Sequence, residues 1–199
     1  HATVFYDQLK KLADYILEHN LDMEKDYYIS LFEEKYFRPK QEDDLENWCG
    51  GNGVMLAVDP DGIIYPCLRY MESSLAGQQE PYSIGDVDTG ICQCECHKCR
   101  VECLKKIDRR TQSTDECFNC PVAEGCSWCT AYNYQVFGTP DARATYICNM
   151  HKARALGNIY FWNNYYKKHG IDKHMENYVP EKWALDIITQ AEWNMLNSL

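Results

Sequence analysis

The segment Cys117-Phe118-Asn119-Cys120-Pro121-Val122-Ala123-Glu124-Gly125-Cys126-Ser127-Trp128-Cys129 holds four cysteines. Pro121 and Gly125 break regular helix or strand there, so the sulfurs must be offered from turns. A Cys-x2-Cys pair can aim both sulfurs at one metal, and the segment has two such pairs. The five residues between the pairs are fewer than zinc knuckles generally use. Close-packed thiolates followed by distant ones suit iron–sulfur clusters, because a cubane is large and takes ligands from several loops. The distant ones are present: Cys148 follows Cys129 with eighteen residues between them, and Cys49 and Cys67 precede the quartet.

Cys49 and Cys67 bracket a readable hairpin. Val54-Met55-Leu56-Ala57-Val58 is patterned as a strand, Asp59-Pro60-Asp61-Gly62 as a turn, and Ile63-Ile64-Tyr65 as the returning strand. The hairpin brings the two cysteines close in space. Seven cysteines in two blocks exceed one four-ligand site and nearly fill two.

Composition narrows the chemistry. The chain has 12 cysteines in 199 residues, none before Cys49 and none after Cys148. Disulfide scaffolds are short and spread their cysteines along the chain. With no export signal visible, a reducing, cytoplasmic compartment is expected, and metal ligation leads over disulfides. Lys plus Arg number 20 against 30 for Asp plus Glu, a formal charge of −10, which argues against a nucleic-acid partner. No apolar run approaches the ~20 residues of a membrane span. The 45% apolar content suffices for a modest core.

The spacing resembles the SPASM domain, the C-terminal extension of radical SAM enzymes that mature peptides and proteins. The pattern C-x(9–15)-G-x4-C, then C-x2-C-x5-C-x3-C, then a final C is matched at Cys49, Gly62, Cys67, Cys117, Cys120, Cys126 and Cys148. The resemblance covers roughly residues 49–151. It departs in one gap, with two residues rather than three between Cys126 and Cys129. It implies that Cys49, Cys67 and Cys129 hold one auxiliary [4Fe–4S] cluster. Cys117, Cys120, Cys126 and Cys148 would hold a second. The first set is then one ligand short: either an additional cysteine closes it, or the iron stays open for a substrate thiolate. Thioether-forming maturases of cysteine-rich peptides look like the nearest relatives.

Five further cysteines lie between the blocks. Cys92, Cys96, Cys99 and Cys103 fall on one face of an expected helix over 92–107, with Cys94 opposite. They could supply the missing ligand, or simply line a core as small hydrophobes. Cys92, Cys96 and Cys99 also spell the triplet that binds a SAM-cleaving cluster. That motif belongs on a loop of a (β/α) barrel, and no barrel pattern surrounds these residues.

The expected fold class is α+β, a small hairpin plus helices, loop-rich and organised around two Fe–S clusters. Residues 1–48 read as a helical linker from the end of a missing barrel, 49–151 as the cluster domain and 152–199 as C-terminal helices. Helices are expected over 4–19, from Phe5, Leu9, Leu12, Tyr15 and Ile16, and over about 24–37, 141–168 and 181–197. His97 and His151 are possible substitute ligands, the Arg109-Arg110 pair a possible contact for an acidic peptide, and Trp128 a water shield. The expected function is the auxiliary-cluster part of a peptide-modifying radical SAM enzyme, its clusters serving electron transfer or substrate-thiolate binding. Its partners would be a peptide substrate and the enzyme's own barrel. S-adenosylmethionine and a third cluster would belong to the intact enzyme, so this chain alone would not cleave it. The alternative is a structural zinc-binding interaction module without turnover.

Overall fold

The computed structural model describes residues 1–24, 29–46, 49–91 and 95–199, the side chains of 95–99 excepted. In chain order the elements are α1 (Ala2–Glu18), β1 (Ala57–Val58), β2 (Ile63–Tyr65), α2 (Glu72–Leu75), β3 (Gly85–Asp86), β4 (Gly90–Ile91) and α3 (Glu95–Lys105). They continue with α4 (Arg109–Gln112), α5 (Asp115–Phe118), α6 (Thr130–Phe137), α7 (Cys148–His169), α8 (Glu181–Ala184) and α9 (Gln190–Leu196). The fold is α+β, its strands forming an antiparallel sheet in the order β1-β2-β3-β4. No helix among the described residues is long and apolar enough to cross a membrane.

The chain divides into two compact units that interleave in sequence. The first comprises His1–Lys40, Asn119–Cys126 and Tyr146–Leu199; the second comprises Gln41–Phe118 and Ser127–Thr145.

In the first unit α1 packs along α7. Leu9 and Ile16 face inward as the helical spacing requires, joined by Tyr6 and Ala13, while Tyr15 is exposed. Gly157 lets the helices approach: a Cβ there would lie 3.0 Å from Leu9 Cβ and Cδ1. The aromatic run of α7 serves this packing, with Phe161 stacked on Phe32 and the Tyr160 hydroxyl donating to Asp14 at 2.6 Å.

Three expected helices are altered. Of the stretch 24–37, the described residues 29–37 form turns, because Phe37 takes a left-handed φ of 64° and donates its N–H to Glu124 O. α7 begins at Cys148 rather than near 141, since the Arg143 and Ala144 N–H groups are already taken by Gln112 O and Asn133 Oδ1. The last helix is two, α8 and α9, with Thr189 capping the second by accepting from the Glu192 N–H.

In the second unit β2 is the inner strand of the expected hairpin. It pairs Ala57↔Tyr65 and Val58↔Ile64 with β1, and Ile63↔Asp86 and Ile64↔Gly85 with β3. The expected strand 54–58 is shortened: Val54 and Met55 donate their N–H groups back to Gly50 O, leaving Ala57–Val58 to pair. Behind the sheet Tyr70, Tyr82 and Tyr134 cluster with Leu75, Ile84 and Leu104. Arg109 is not a surface residue. It is 3% exposed and donates to the carbonyls of Gln41 (2.7 Å), Asp44 (3.0 Å) and Phe118, clamping the segment that leads toward Cys49. Only Arg110 of the pair is exposed.

The Asp22 side chain, 2% exposed, accepts from Lys168 Nζ at 2.9 Å and meets His169 Nε2 at 2.6 Å. Burial pushes its carboxyl up, but the bonds from Lys168 and His169 outweigh this and hold it below the usual range. Its contribution is therefore complete above about pH 4 and is lost as pH falls through the lowered value. The substitution Asp22→Asn is expected to cost about 1–3 kcal/mol near neutrality. In thermal melts across pH 2–7 it should also flatten the acid limb relative to the parent protein.

Candidate metal centre

Gly51 sits at the middle of a thiol cluster in the second unit. It lies in the 3₁₀ turn Gly50–Asn52 that directly follows Cys49, and it is buried. A Cβ built on it would stand 3.4 Å from Cys67 Sγ, 3.6 Å from Cys49 Sγ and 3.6 Å from Thr130 Oγ1. Two sulfurs and a hydroxyl thus border one carbon-sized space, and the two sulfurs lie within about 7 Å of each other. Any residue but glycine would fill that space. The hairpin expected to bring Cys49 and Cys67 together does so.

Cys129 completes the group from the opposite side of the sequence. It caps α6, and its Sγ accepts the Tyr132 N–H at 3.3 Å. The next residue, Thr130, is fully buried and places Oγ1 3.7 Å from Cys49 Sγ. Hydrogen bonds to sulfur are one of the ways a protein sets the behaviour of a sulfur-ligated metal. The two-residue gap before Cys129 therefore does not remove it from Cys67: the two sulfurs are close enough to interact electrostatically.

Electrostatics here point one way. Burial pushes the Cys67 thiol up, and the charges of Cys129 and Cys49 push it further, against partial relief from the backbone N–H of Arg69 and of Tyr70. The phenol of Tyr70, fully buried, is also raised by burial, against a lowering interaction with the Thr130 hydroxyl and with smaller upward contributions from Tyr82, Cys67 and Cys49. Deprotonated thiols gathered in low dielectric repel one another, and a bound cation removes that penalty. The donor set and the glycine cradle fit a sulfur-ligated metal cofactor.

α3 packs against the Gly50–Asn52 turn, and Lys105 Cγ would lie 3.5 Å from a Cβ on Gly53. The helix carrying Cys96, Cys99 and Cys103 is thus seated on the turn that presents Cys49. Cys103 is partly buried. Cys92 and Cys94 lie outside the described residues, as do the side chains of Cys96, Cys99 and His97.

The remaining expected ligands are spread over both units. Cys120, Cys126 and Cys148 belong to the first and Cys117 to the second. In the first unit the loop Asn119–Cys126 is held from two sides. His151 Nε2, one turn beyond Cys148 on α7, donates to Val122 O at 2.6 Å, while its ring packs on Phe37. Glu124 accepts from the Phe37 N–H at 3.0 Å and donates its own N–H to Arg38 O at 2.9 Å. His151 is buried and its Nε2 is engaged with a carbonyl, which suits a tie between ligand-bearing segments. Trp128 lies under the Arg143 guanidinium, 4.6 Å from the ring centroid.

The eight described cysteines form no disulfide. Among the described residues no three His, Cys, Asp or Glu side chains close on the geometry of a single ion. Sequence reasoning missed Gly51, Thr130 and Tyr70; the Gly-Gly step after Cys49 was the one signal that could have found the first. Comparison with protein-family models, with curated proteins and with solved structures finds no match.

In the metal-free protein Cys67 should react slowest of its group. At pH 8, iodoacetamide labelling followed by mass spectrometry is expected to modify Cys67 more slowly than Cys49 or Cys129, because Cys67 is the buried one and only the thiolate attacks. The gap should narrow as pH rises through the Cys67 value.

Proposed function

We propose that this chain is the auxiliary-cluster part of a radical SAM peptide maturase, a SPASM-type domain that carries two [4Fe–4S] clusters. The observation that carries the reading is the approach of Cys49 and Cys67 to the bare Cα of Gly51, with Cys129 near enough to Cys67 to act on it electrostatically. The division of ligands comes from the resemblance: Cys49, Cys67 and Cys129 for one cluster, and Cys117, Cys120, Cys126 and Cys148 for the other. The packing of α3 on the Cys49 turn supports a fourth ligand from Cys96, Cys99 or Cys103, with Cys92 also on that expected face. If none of them binds, the open position takes a substrate thiolate.

Such clusters, when bound, pass single electrons or hold a sulfur. The chain's own residues do the rest. Cys67 and Thr130 are withdrawn from water, so the centre lies in low dielectric. The Tyr132 N–H donates to the Cys129 sulfur, one of the hydrogen bonds by which a protein tunes a sulfur ligand. Ligand thiols must lose their protons on loading, so assembly is favoured as pH rises and is coupled to folding. The substrate on this reading is a ribosomally made, cysteine-rich peptide, with thioether formation the favoured chemistry. S-adenosylmethionine and its own cluster belong to the barrel of the same cytoplasmic enzyme.

Anaerobic purification tests this directly. The protein should be brown, with broad visible absorbance that bleaches on reduction, and should contain about eight iron and eight sulfide per chain. The substitution Cys67→Ser should remove about four of each, and so should Cys120→Ser, in separate halves. Colourless protein holding zinc, or fewer than about four iron and four sulfide, would sink the reading.

A further inference from the structure

The first unit carries a groove of about 350 Å³ whose charge runs against that of the chain as a whole. Its walls include Lys35, Arg38, Lys173 and His174, with the phenol rings of Tyr36 and Tyr178. Glu34 and Glu176 also line it, but both are engaged: Glu34 accepts from Lys173 and from the Tyr166 hydroxyl, and Glu176 from the Tyr178 hydroxyl at 2.6 Å. Lys173 is committed to Glu34 in turn. Among the described residues Lys35, Arg38 and His174 form no side-chain hydrogen bond or ion pair, so their donors face an open concavity on a protein of formal charge −10.

The groove is built rather than incidental. Phe37, between Tyr36 and Arg38, is buried with φ at 64°, a conformation an aromatic residue rarely adopts. Its N–H donates to Glu124 O and the Glu124 N–H donates to Arg38 O, which together hold the turn between Tyr36 and Arg38. The Tyr36 ring lies against Gly125, where a Cβ would come within 2.4 Å of ring carbons. Gly125 is the residue before Cys126. The groove therefore adjoins the loop that ends in one of the cysteines assigned above.

We infer that this groove binds the carboxylate of an acidic side chain in an extended peptide. A planar guanidinium matches a carboxylate in a two-point contact, and Lys35 and His174 add donors around it. The aromatic walls suit the apolar part of an amino-acid chain. Inorganic phosphate lacks the apolar stem that the Tyr36 and Tyr178 walls would cover, which favours the amino-acid carboxylate. Naming a peptide as the ligand rests on the function proposed above; the groove itself does not.

The test uses the full chain titrated with acetyl-Gly-Glu-Gly amide, with the Gln counterpart and with inorganic phosphate. Binding is followed by calorimetry and by amide chemical shifts of residues 35–38 and 173–178. The Glu peptide should bind about tenfold more tightly than the Gln peptide, and more tightly than phosphate. Arg38→Gln and Lys35→Gln should each weaken it several-fold while leaving iron and sulfide content unchanged. Equal binding of the Glu and Gln peptides, tighter binding of phosphate, or indifference to both substitutions would overturn the inference. Clusters present without carboxylate binding would defeat the groove alone, whereas carboxylate binding by a cluster-free protein would defeat the proposed function and leave the groove standing.

Discussion

Sulfur atoms that would repel one another as thiolates are brought together where water is scarce, and the rest of the second unit answers to that constraint. Cys67 is buried in the same core as Tyr70, Ile84 and Leu104, with Cys129 packed against it. Its raised thiol is the direct cost of that placement. Low dielectric strengthens each like-charge repulsion and each hydrogen bond to sulfur alike. The metal-free chain resolves the conflict by keeping a proton. A cationic cofactor of the kind proposed above would resolve it by displacing that proton, coupling its loading to folding.

Glycine and threonine set the dimensions of that place. A methyl group at position 51 would occupy the point that Cys49, Cys67 and Thr130 surround. The turn that exposes this bare Cα is fixed by the Val54 and Met55 N–H groups returning to Gly50 O. The same bonds shorten the first strand of the hairpin, so the lost strand pairing and the thiol cradle have one cause. Tyr132 and Thr130 then act from the start of α6, an element whose position follows from Cys129 serving as its cap.

The quartet loop follows a different logic. Between Phe118 and Asn119, and again between Cys126 and Ser127, the chain passes from one compact unit to the other. Residues 119–126 stay with the first unit because Val122 and Glu124 are bonded to His151, Phe37 and Arg38. Those ties fix the backbone on which Cys120 and Cys126 sit. They also impose the left-handed turn at Phe37, so that the cysteine-bearing loop and a cationic groove share one strained residue.

What the amino-acid order determined by itself is local and periodic. The first helix, the Asp59-to-Gly62 turn, α3 and most of α7 are written in apolar spacing and turn chemistry, which need no distant partner. The order and spacing of the cysteines singled out sulfur chemistry in the same way, since a tight Cys-x2-Cys turn is a short-range property. Tertiary structure decided what depends on competition for hydrogen bonds or on distant neighbours. Phe37 lost its helix to the Glu124 carbonyl, and Arg109 became an internal clamp because three carbonyls were waiting for it. Thr130 came to Cys49 from far along the chain because burial of Thr130 and Ala131 drew the start of α6 into the hairpin's core. No pattern along the chain encodes that meeting, because burial is settled by the whole fold and not by nearest neighbours.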